Sequence, residues 1–352
     1  MKKFSSTEEH IMSIGHGKKL SGKTIFNIVT IVVTVSCAAY FCFSDNGVLT
    51  LLHHSFHFKI GWLIIGFCCM LADLVLDTFL IYLFTKSISS TYTIKRAFKT
   101  CMVGHLYSAI TPFQSGGQPM QIYVMTKQQI DAGNATSTLV QKFFVYQTGI
   151  TAYSLFAIIF QYGKVVGSQN PVILGLVLVG FVVQGGCAAL LLVFSFNQKF
   201  THTLLKWALK LLTKLHLVKD YDKTLQAWQV QVDAFHESNQ QLYKDKKLLA
   251  KTYLLTFLQL TALFVVSFCI YRAFDFHNVS PANMVFTQAF ITMVSSLVPL
   301  PGAAGASEGT FFLFMAPYFG ETVKSADFLW RFITYFAVIL VSAPFSKIKA
   351  EM

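Results

Sequence analysis

The sequence predicts an all-α polytopic membrane protein with about six full spans and two hydrophobic segments broken by Pro and Gly. Three observations carry that prediction. Hydrophobic residues make up 54% of the 352 and charged residues only 12%, about half the charged share of an ordinary soluble domain. So little charge cannot cover so much apolar side chain in water, so lipid must be the solvent for much of the chain. Apolar runs near the 20 residues needed to cross a bilayer recur along the sequence. The net charge of +12 is concentrated between those runs, as the positive-inside rule describes. A soluble globular enzyme and a disordered chain are excluded. No nucleic-acid-binding motif accompanies the basic charge, so no nucleic-acid partner is expected.

Residues 1–23 form a polar tail with Lys2, Lys3, Lys18, Lys19 and Lys23. The first run, Thr24 to about Ser44, is too long for a cleaved signal peptide and reads as a retained span. Further runs cover Ile60–Phe84, Phe143–Gln161, Pro171–Phe196, Thr252–Phe274 and Phe328–Phe345. The chain thus divides into a cytoplasmic tail (1–23), a first membrane half (24–196), a basic segment (197–251) and a second membrane half (252–347). The broken segments are 101–125 in the first half and 284–319 in the second.

Loop charges set the topology. Lys86, Lys95, Arg96 and Lys99 lie in 85–100, the segment 197–251 is Lys-rich, and Lys347 and Lys349 close the chain. Six spans starting inside put all of these, and both termini, in the cytoplasm. A full crossing by 101–125 would put the Lys-rich segment outside. Each broken segment is therefore expected to enter and leave on one side, the first from the cytoplasm and the second from outside. Thr111-Pro112 with Gly116-Gly117, and Val298-Pro299 with Gly302 and Gly305, are loosely alike. Interrupted segments at matching places in two halves are a pointer to a transport site. They read as an inverted pseudo-repeat, with two independently kinked helices as the alternative.

The candidate residues cluster at these breaks. Gln114, Ser115, Gly116, Gly117 and Gln118 supply amides, a hydroxyl and accessible backbone. A helix starting near Gln118–Pro119 would aim its positive dipole end at an anion such as a lipid phosphate. In the second break, Gly302 and Gly305 precede Ser307, expected to cap the next helix, and Glu308, expected in its first turn. Arg331 is the candidate partner of either Glu308 or Asp73. Asp73 and Asp77 sit four apart on one helical face. An ionisable group at the depth of Asp73 marks a pathway or a pair, and Asp77, nearer the inner interface, reads as structural. His105 reads as a satisfied interior histidine, and His53, His54 and His57 as a solvated loop.

Segment 199–217 alternates Lys206, Lys210 and Lys214 with Leu204, Leu205, Trp207, Leu211, Leu212 and Leu215. It is expected to lie on inner-leaflet anionic lipid, the alternative being a solvated helix packed on the bundle. Residues 218–250 read as a polar helical linker. The seven cysteines have no CxxC spacing and read as packed thiols. Gly305-Ala306-Ser307-Glu308-Gly309 matches G-x-S-x-G, but no strand precedes it, so it is not a nucleophile elbow. No P-loop, HExxH, dinucleotide fingerprint or metal-ligand cluster is present. No catalytic residue, cofactor or metal is expected.

Ser108-Ala-Ile-Thr-Pro-Phe-Gln-Ser-Gly-Gly-Gln-Pro119 and Pro299-Leu-Pro-Gly-Ala-Ala-Gly-Ala-Ser-Glu-Gly309, with this spacing and span layout, resemble the transmembrane region of lysylphosphatidylglycerol synthases, the multiple peptide resistance factors. The resemblance runs from about residue 20 to 347. It implies a lipid flippase that moves aminoacylated phosphatidylglycerol to the outer leaflet, with lipid-synthesis enzymes as partners. In that family a C-terminal soluble domain makes the lipid. Here the sequence stops at Met352, soon after its last expected span, so a translocator is expected rather than an enzyme. The alternatives are a phosphatidylglycerol lysyltransferase and an accessory exporter in a glycolipid or wall-polymer pathway.

Overall fold

The computed structural model describes residues 58–167, 171–214, 220–296, 303 and 305–346. The expected first span Thr24–Ser44, the loop histidines His53, His54 and His57 that follow it, and Gly302 lie outside these residues. Every described element is helical, with no strand among them. In order they are α1 (Ile60–Ile88), α2 (Ile94–Ala109), α3 (Gly117–Lys127), α4 (Ala132–Gly167), α5 (Pro171–Phe196), α6 (Gln198–Lys214), α7 (Tyr221–Lys244), α8 (Lys246–Ala273), α9 (Pro281–Ser295), α10 (Ala306–Phe319), α11 (Val323–Arg331) and α12 (Ala337–Ser342).

Five stretches among the described residues are long and apolar enough to cross a membrane: Ile60–Ile88, Ala132–Phe160, Leu174–Phe196, Lys246–Ala273 and Ala306–Ser346. Two of them begin well before the hydropathy of the sequence suggests. α4 starts at Ala132 instead of near Phe143, and α8 at Lys246 instead of near Thr252. Helix hydrogen bonding continues through polar residues that a hydropathy boundary excludes. At the start of α8 the Asp245 side chain accepts from Leu248 N–H at 2.9 Å, satisfying one of the first-turn donors.

The last stretch is not one straight helix. Pro317 lies in the final turn of α10, and Gly320 follows at φ +55°, a backbone region that favours glycine. The chain turns there, and α11 begins three residues later. A five-residue π-helical turn, Phe332–Phe336, joins α11 to α12. The final helical run thus begins at Val323, ahead of the expected Phe328.

Both broken segments form helix–break–helix hairpins. α2 packs on α3, and α9 packs on α10. Their arms have 16, 11, 15 and 14 residues, or about 16–24 Å each at 1.5 Å per residue. No arm reaches the ~30 Å of a hydrocarbon core. Ser280 caps α9 through Asn283 N–H at 3.3 Å, with Pro281 at the first helical position.

α1 and α8 form the most extensive helix pair. Gly66 permits their approach, since a Cβ there would lie 3.3 Å from Cys269 Cβ. Lys59 secures one end of the pair. Its N–H donates to Ala273 O at 3.0 Å, and its Nζ lies 2.5 Å from Asp275 Oδ1. The Lys59 ammonium, hydrogen-bonded to Asp275, holds that exposed carboxyl below the usual carboxylate range. Around the pair runs one apolar core including Met70, Leu74, Ile270, Phe290, Phe311 and Met315. The outward face is also apolar. Val182 is 72% exposed and Leu178 55%, which suits a helix facing lipid.

α6 and α7 follow α5. α7 packs along α4: Gly133 N–H donates to Gln231 Oε1 at 2.6 Å and Ser238 Oγ to Asn134 Oδ1 at 2.5 Å, while Asn239 Nδ2 reaches Ser195 O of α5 at 3.1 Å. Gln141 also donates to Asn239. Burial lowers the His236 imidazole from its ordinary value and so favours its neutral form. The expected polar linker is thus a helix docked on the bundle.

The hairpin arms leave no room for side chains where they cross. A Cβ on Gly117 would sit 2.0 Å from Ser108 Oγ and 2.8 Å from Gly104 O, whereas one on Gly309 would meet nothing within 4 Å. Gly117→Ala is expected to destabilise the protein by about 1–3 kcal/mol. Gly309→Ala, in α10, is expected to be neutral or to add up to about 1 kcal/mol. Thermal unfolding in detergent, followed by helical circular dichroism, measures both.

Candidate functional site

The second break is organised by one carboxylate. α10 begins after Ala303 (φ +52°) and Gly305 (φ +83°), and Glu308 occupies its first turn. Glu308 Oε2 accepts the Gly305 N–H at 2.6 Å, and Oε1 accepts from Arg331 Nε at 2.7 Å. Both Glu308 and Arg331 are buried. The carboxylate also suits the positive end of the helix dipole. Gly305 is the N-cap residue, so Ser307, expected to cap the helix, lies buried inside its first turn. Glycine has no side chain to accept a first-turn N–H. Glu308 instead acts backwards on the loop.

The helix lengths agree with this contact. Arg331 is eight residues after the start of α11, and Glu308 eleven before the end of α10. Those distances are about 12 and 16 Å from the intervening turn at Gly320, so the two side chains stand at nearly one level.

The first break holds itself by backbone and hydroxyl bonds. Thr111 Oγ1 donates to Tyr107 O at 2.6 Å and accepts the Gly116 N–H at 2.8 Å. Ser115 Oγ donates to Pro112 O at 2.8 Å. Gln114 adopts φ +56°. Gln114, Ser115 and Gln118 are exposed, Gly116 is half-buried and Gly117 is buried. α3 starts at Gly117 with Pro119 in its first turn, so its N-terminus faces this exposed stretch, as the sequence suggested.

One side chain joins the two breaks. Tyr335, in the π-helical turn, donates its hydroxyl to Ala109 O at 3.0 Å, at the end of α2. Its ring lies 5.3 Å from the Arg331 guanidinium carbon, as does the Trp330 ring. A continuous series of contacts therefore runs from Gly305 through Glu308, Arg331 and Tyr335 to Ala109. π-helical turns of this kind reorient side chains and recur at functional sites.

A second polar cluster lies between α1, α2, α4 and α8. Lys142 Nζ is 2.7 Å from Asp77 Oδ1 and 2.8 Å from Oδ2. His105 Nε2 lies 3.3 Å from Oδ2, and Cys101 Sγ donates to Oδ2 at 3.2 Å. Gln259 Nε2 donates to Oδ1 at 3.4 Å. Asp73, one turn away and buried, interacts with His105, Asp77, Gln259 and Lys142. The helices agree on the level here too. Asp77 is eleven residues before the end of α1, His105 eleven after the start of α2, and Lys142 ten after the start of α4, each about 15–17 Å along its axis.

Asp77, Cys101 and His105 place three metal-ligand atoms within 4.8 Å of one another. The Lys142 ammonium already touches both carboxylate oxygens, so a divalent cation would have to displace it. The donor set fits an ion-pair network better than a metal centre.

Of the sequence candidates, the structure brings Gly305, Glu308 and Arg331 together, and places Gln114, Ser115, Gly116, Gly117 and Gln118 on one exposed turn. Asp73 sits in the other cluster. Of the two partners considered for Arg331, Glu308 is the one its Nε bonds. Sequence reasoning missed Lys142, because its position preceded the hydropathy boundary, and missed Tyr335 as the link between breaks. A signal for Lys142 was available in its lone positive charge beside an apolar run, opposite two aspartates. Breaking the Asp77–Lys142 pair by Asp77→Asn or Lys142→Met is expected to cost about 3–5 kcal/mol each. The combined variant is expected to lose less than the sum of the two. A double-mutant cycle on unfolding in detergent measures this.

A comparison with curated proteins finds no match to the chain. The family model described as the lysylphosphatidylglycerol synthase TM region matches residues 27–342, nearly the whole sequence and every helix named above. With its long apolar helices and two broken hairpins, the chain is a multi-pass membrane protein belonging to the lysylphosphatidylglycerol synthase transmembrane-region family.

Proposed function

We propose that the chain is a flippase that carries an anionic or aminoacylated phospholipid, or a related lipid, across the cytoplasmic membrane. The observation that carries the reading is the contact series from Gly305 to Ala109, which ties the two backbone breaks together inside an apolar bundle. A backbone break in a bilayer is tolerated only where protein or a polar cavity satisfies it. Two interrupted segments in contact inside the bundle are the arrangement in which transporters hold substrate near the midplane.

In this reading the α2–α3 hairpin enters from the cytoplasm and the α9–α10 hairpin from outside. With an intact span at 24–44, six full spans surround them and both termini are cytoplasmic. The head-group phosphate meets the N-terminal end of α3 at Gln114, Ser115, Gly116, Gly117 and Gln118. Gly302, Gly305, Glu308 and Arg331 line the second half of the path, and Asp73 lies beside its inner part. Transport towards the outer leaflet follows the family resemblance, and lipid-synthesis enzymes are natural partners.

α6 supports the same membrane placement. Phe200, Leu204, Trp207 and Leu211 are exposed at spacings of three and four residues, with Lys206, Lys210 and Lys214 exposed alongside. Thr201 and Leu209 face the bundle. An apolar stripe flanked by lysines suits an anionic inner leaflet.

The test compares cells with and without the gene. Each membrane lipid is measured in the total extract and in the fraction reached by an impermeant label. One lipid is expected to keep its total and lose outer exposure. Its disappearance from the total would instead assign the chain to synthesis. In complemented cells, Glu308→Gln is expected to reduce outer exposure of that lipid at least severalfold at an unchanged protein level, and normal exposure would remove Glu308 from the path.

A further inference from the structure

The second break contains one more carboxyl than its guanidinium can neutralise. Asp327 lies on α11 one turn before Arg331, and so on the same face of the helix. It interacts with Glu308 on α10 and with Arg331. Its Oδ1 is buried without a hydrogen-bond partner among the described residues. Glu308 has both oxygens engaged, one by Arg331 and one by Gly305 N–H. Arg331 thus answers Glu308, and with both acids ionised the cluster would hold one uncompensated negative charge in an apolar setting.

Among the described residues, the other elements packed on α11 do not supply a compensating cation. From α8, Tyr271 packs edge-on against Phe319, and Arg272 sits over the Trp62 ring. From the π-helical turn, Tyr335 spends its hydroxyl on Ala109 O. Glu321 and Lys324, at the start of this run, are exposed. A metal cation would need a shell of several oxygens, and among the described residues none hydrogen-bonds the buried Asp327 oxygen. A single proton on the carboxyl needs none of these.

We infer that Asp327 is the proton-binding group of this transporter, taking up and releasing one proton per cycle while Glu308 remains ionised against Arg331. With Asp327 protonated, Glu308 has no second carboxylate competing for Arg331, and it holds Gly305 and fixes the second break. With Asp327 ionised, two carboxylates compete for Arg331, four residues from one and directly bonded to the other. Glu308 is then less firmly held, and the break is released. Proton exchange at Asp327 thereby alternates the grip on the α9–α10 hairpin. The coupling rests on the flippase reading, and proton binding itself does not.

Two measurements on the purified full chain separate these. Infrared spectra at neutral pH are expected to show the carbonyl stretch of a buried protonated carboxylic acid. One component should vanish in Asp327→Asn. It should also vanish in Glu308→Gln, where Arg331 is freed to ionise Asp327. A spectrum unchanged in Asp327→Asn would overturn the proton site, and Glu308→Gln supplies the same decision if the first variant does not fold. In vesicles carrying a fluorescent phosphatidylglycerol, an imposed pH gradient is expected to change wild-type exchange at least threefold, with no such response in Asp327→Asn. Exchange indifferent to the pH gradient, or answering only to sodium, would overturn the coupling. No exchange under any condition would overturn the flippase reading, leaving the infrared result to decide proton binding.

Discussion

A guanidinium enclosed in an apolar bundle must find an anion, and the surroundings of Arg331 are built around that need. Glu308 meets it at 2.7 Å, with Trp330 and Tyr335 rings on its flanks. The same carboxylate is the device that starts α10, through its bond to Gly305 N–H. One interaction therefore does two things: it neutralises a buried charge, and it fixes where a broken helix resumes. Removing either partner leaves an unpaired charge, which is costlier than never having had the pair. The turn at Gly320 folds α10 back so that the two residues, 23 apart in sequence, reach one level.

The Asp77 cluster obeys the same constraint with different parts. Three helices bring Asp77, His105 and Lys142 to a common level, and Gln259 of a fourth completes the contacts. Apolar helices in lipid gain little from excluding water, so close packing and polar contacts must hold them. Glycine provides the first at Gly66, Gly104 and Gly117, where added side chains would meet a neighbour. The buried carboxylates provide the second. Each cluster also sits beside one hairpin: His105 and Cys101 belong to α2, and Glu308 to α10. Charge pairing and backbone interruption thus occur together at both hairpins.

Much of this was legible in the residues. Pro and Gly inside apolar runs marked both hairpins, because they interrupt the hydrogen-bond ladder wherever they occur. Glu308 and Arg331 stood out because charge is rare in such runs. The start of α3 was legible from Pro119. What escaped were features that depend on three-dimensional register. Lys142 falls within α4 because backbone bonding carries the helix through polar residues that a hydropathy boundary excludes. Ser307 lost the cap to Gly305 because the chain enters α10 with positive φ, where glycine is favoured. Tyr335 could not be linked to Ala109 from sequence, since 226 residues separate them. Residues 24–44 read as a span, and that reading lies outside the described residues.

In the proposed function, phospholipid crosses the membrane through the paired breaks. The most direct measurement reconstitutes the purified chain into vesicles with a fluorescent anionic phospholipid and adds a membrane-impermeant quencher. The account predicts that inner-leaflet label becomes quenchable much faster than in protein-free vesicles, and that Arg331→Gln slows it towards the protein-free rate. Label that remains as protected as in empty vesicles, with folded wild-type protein present, would contradict it.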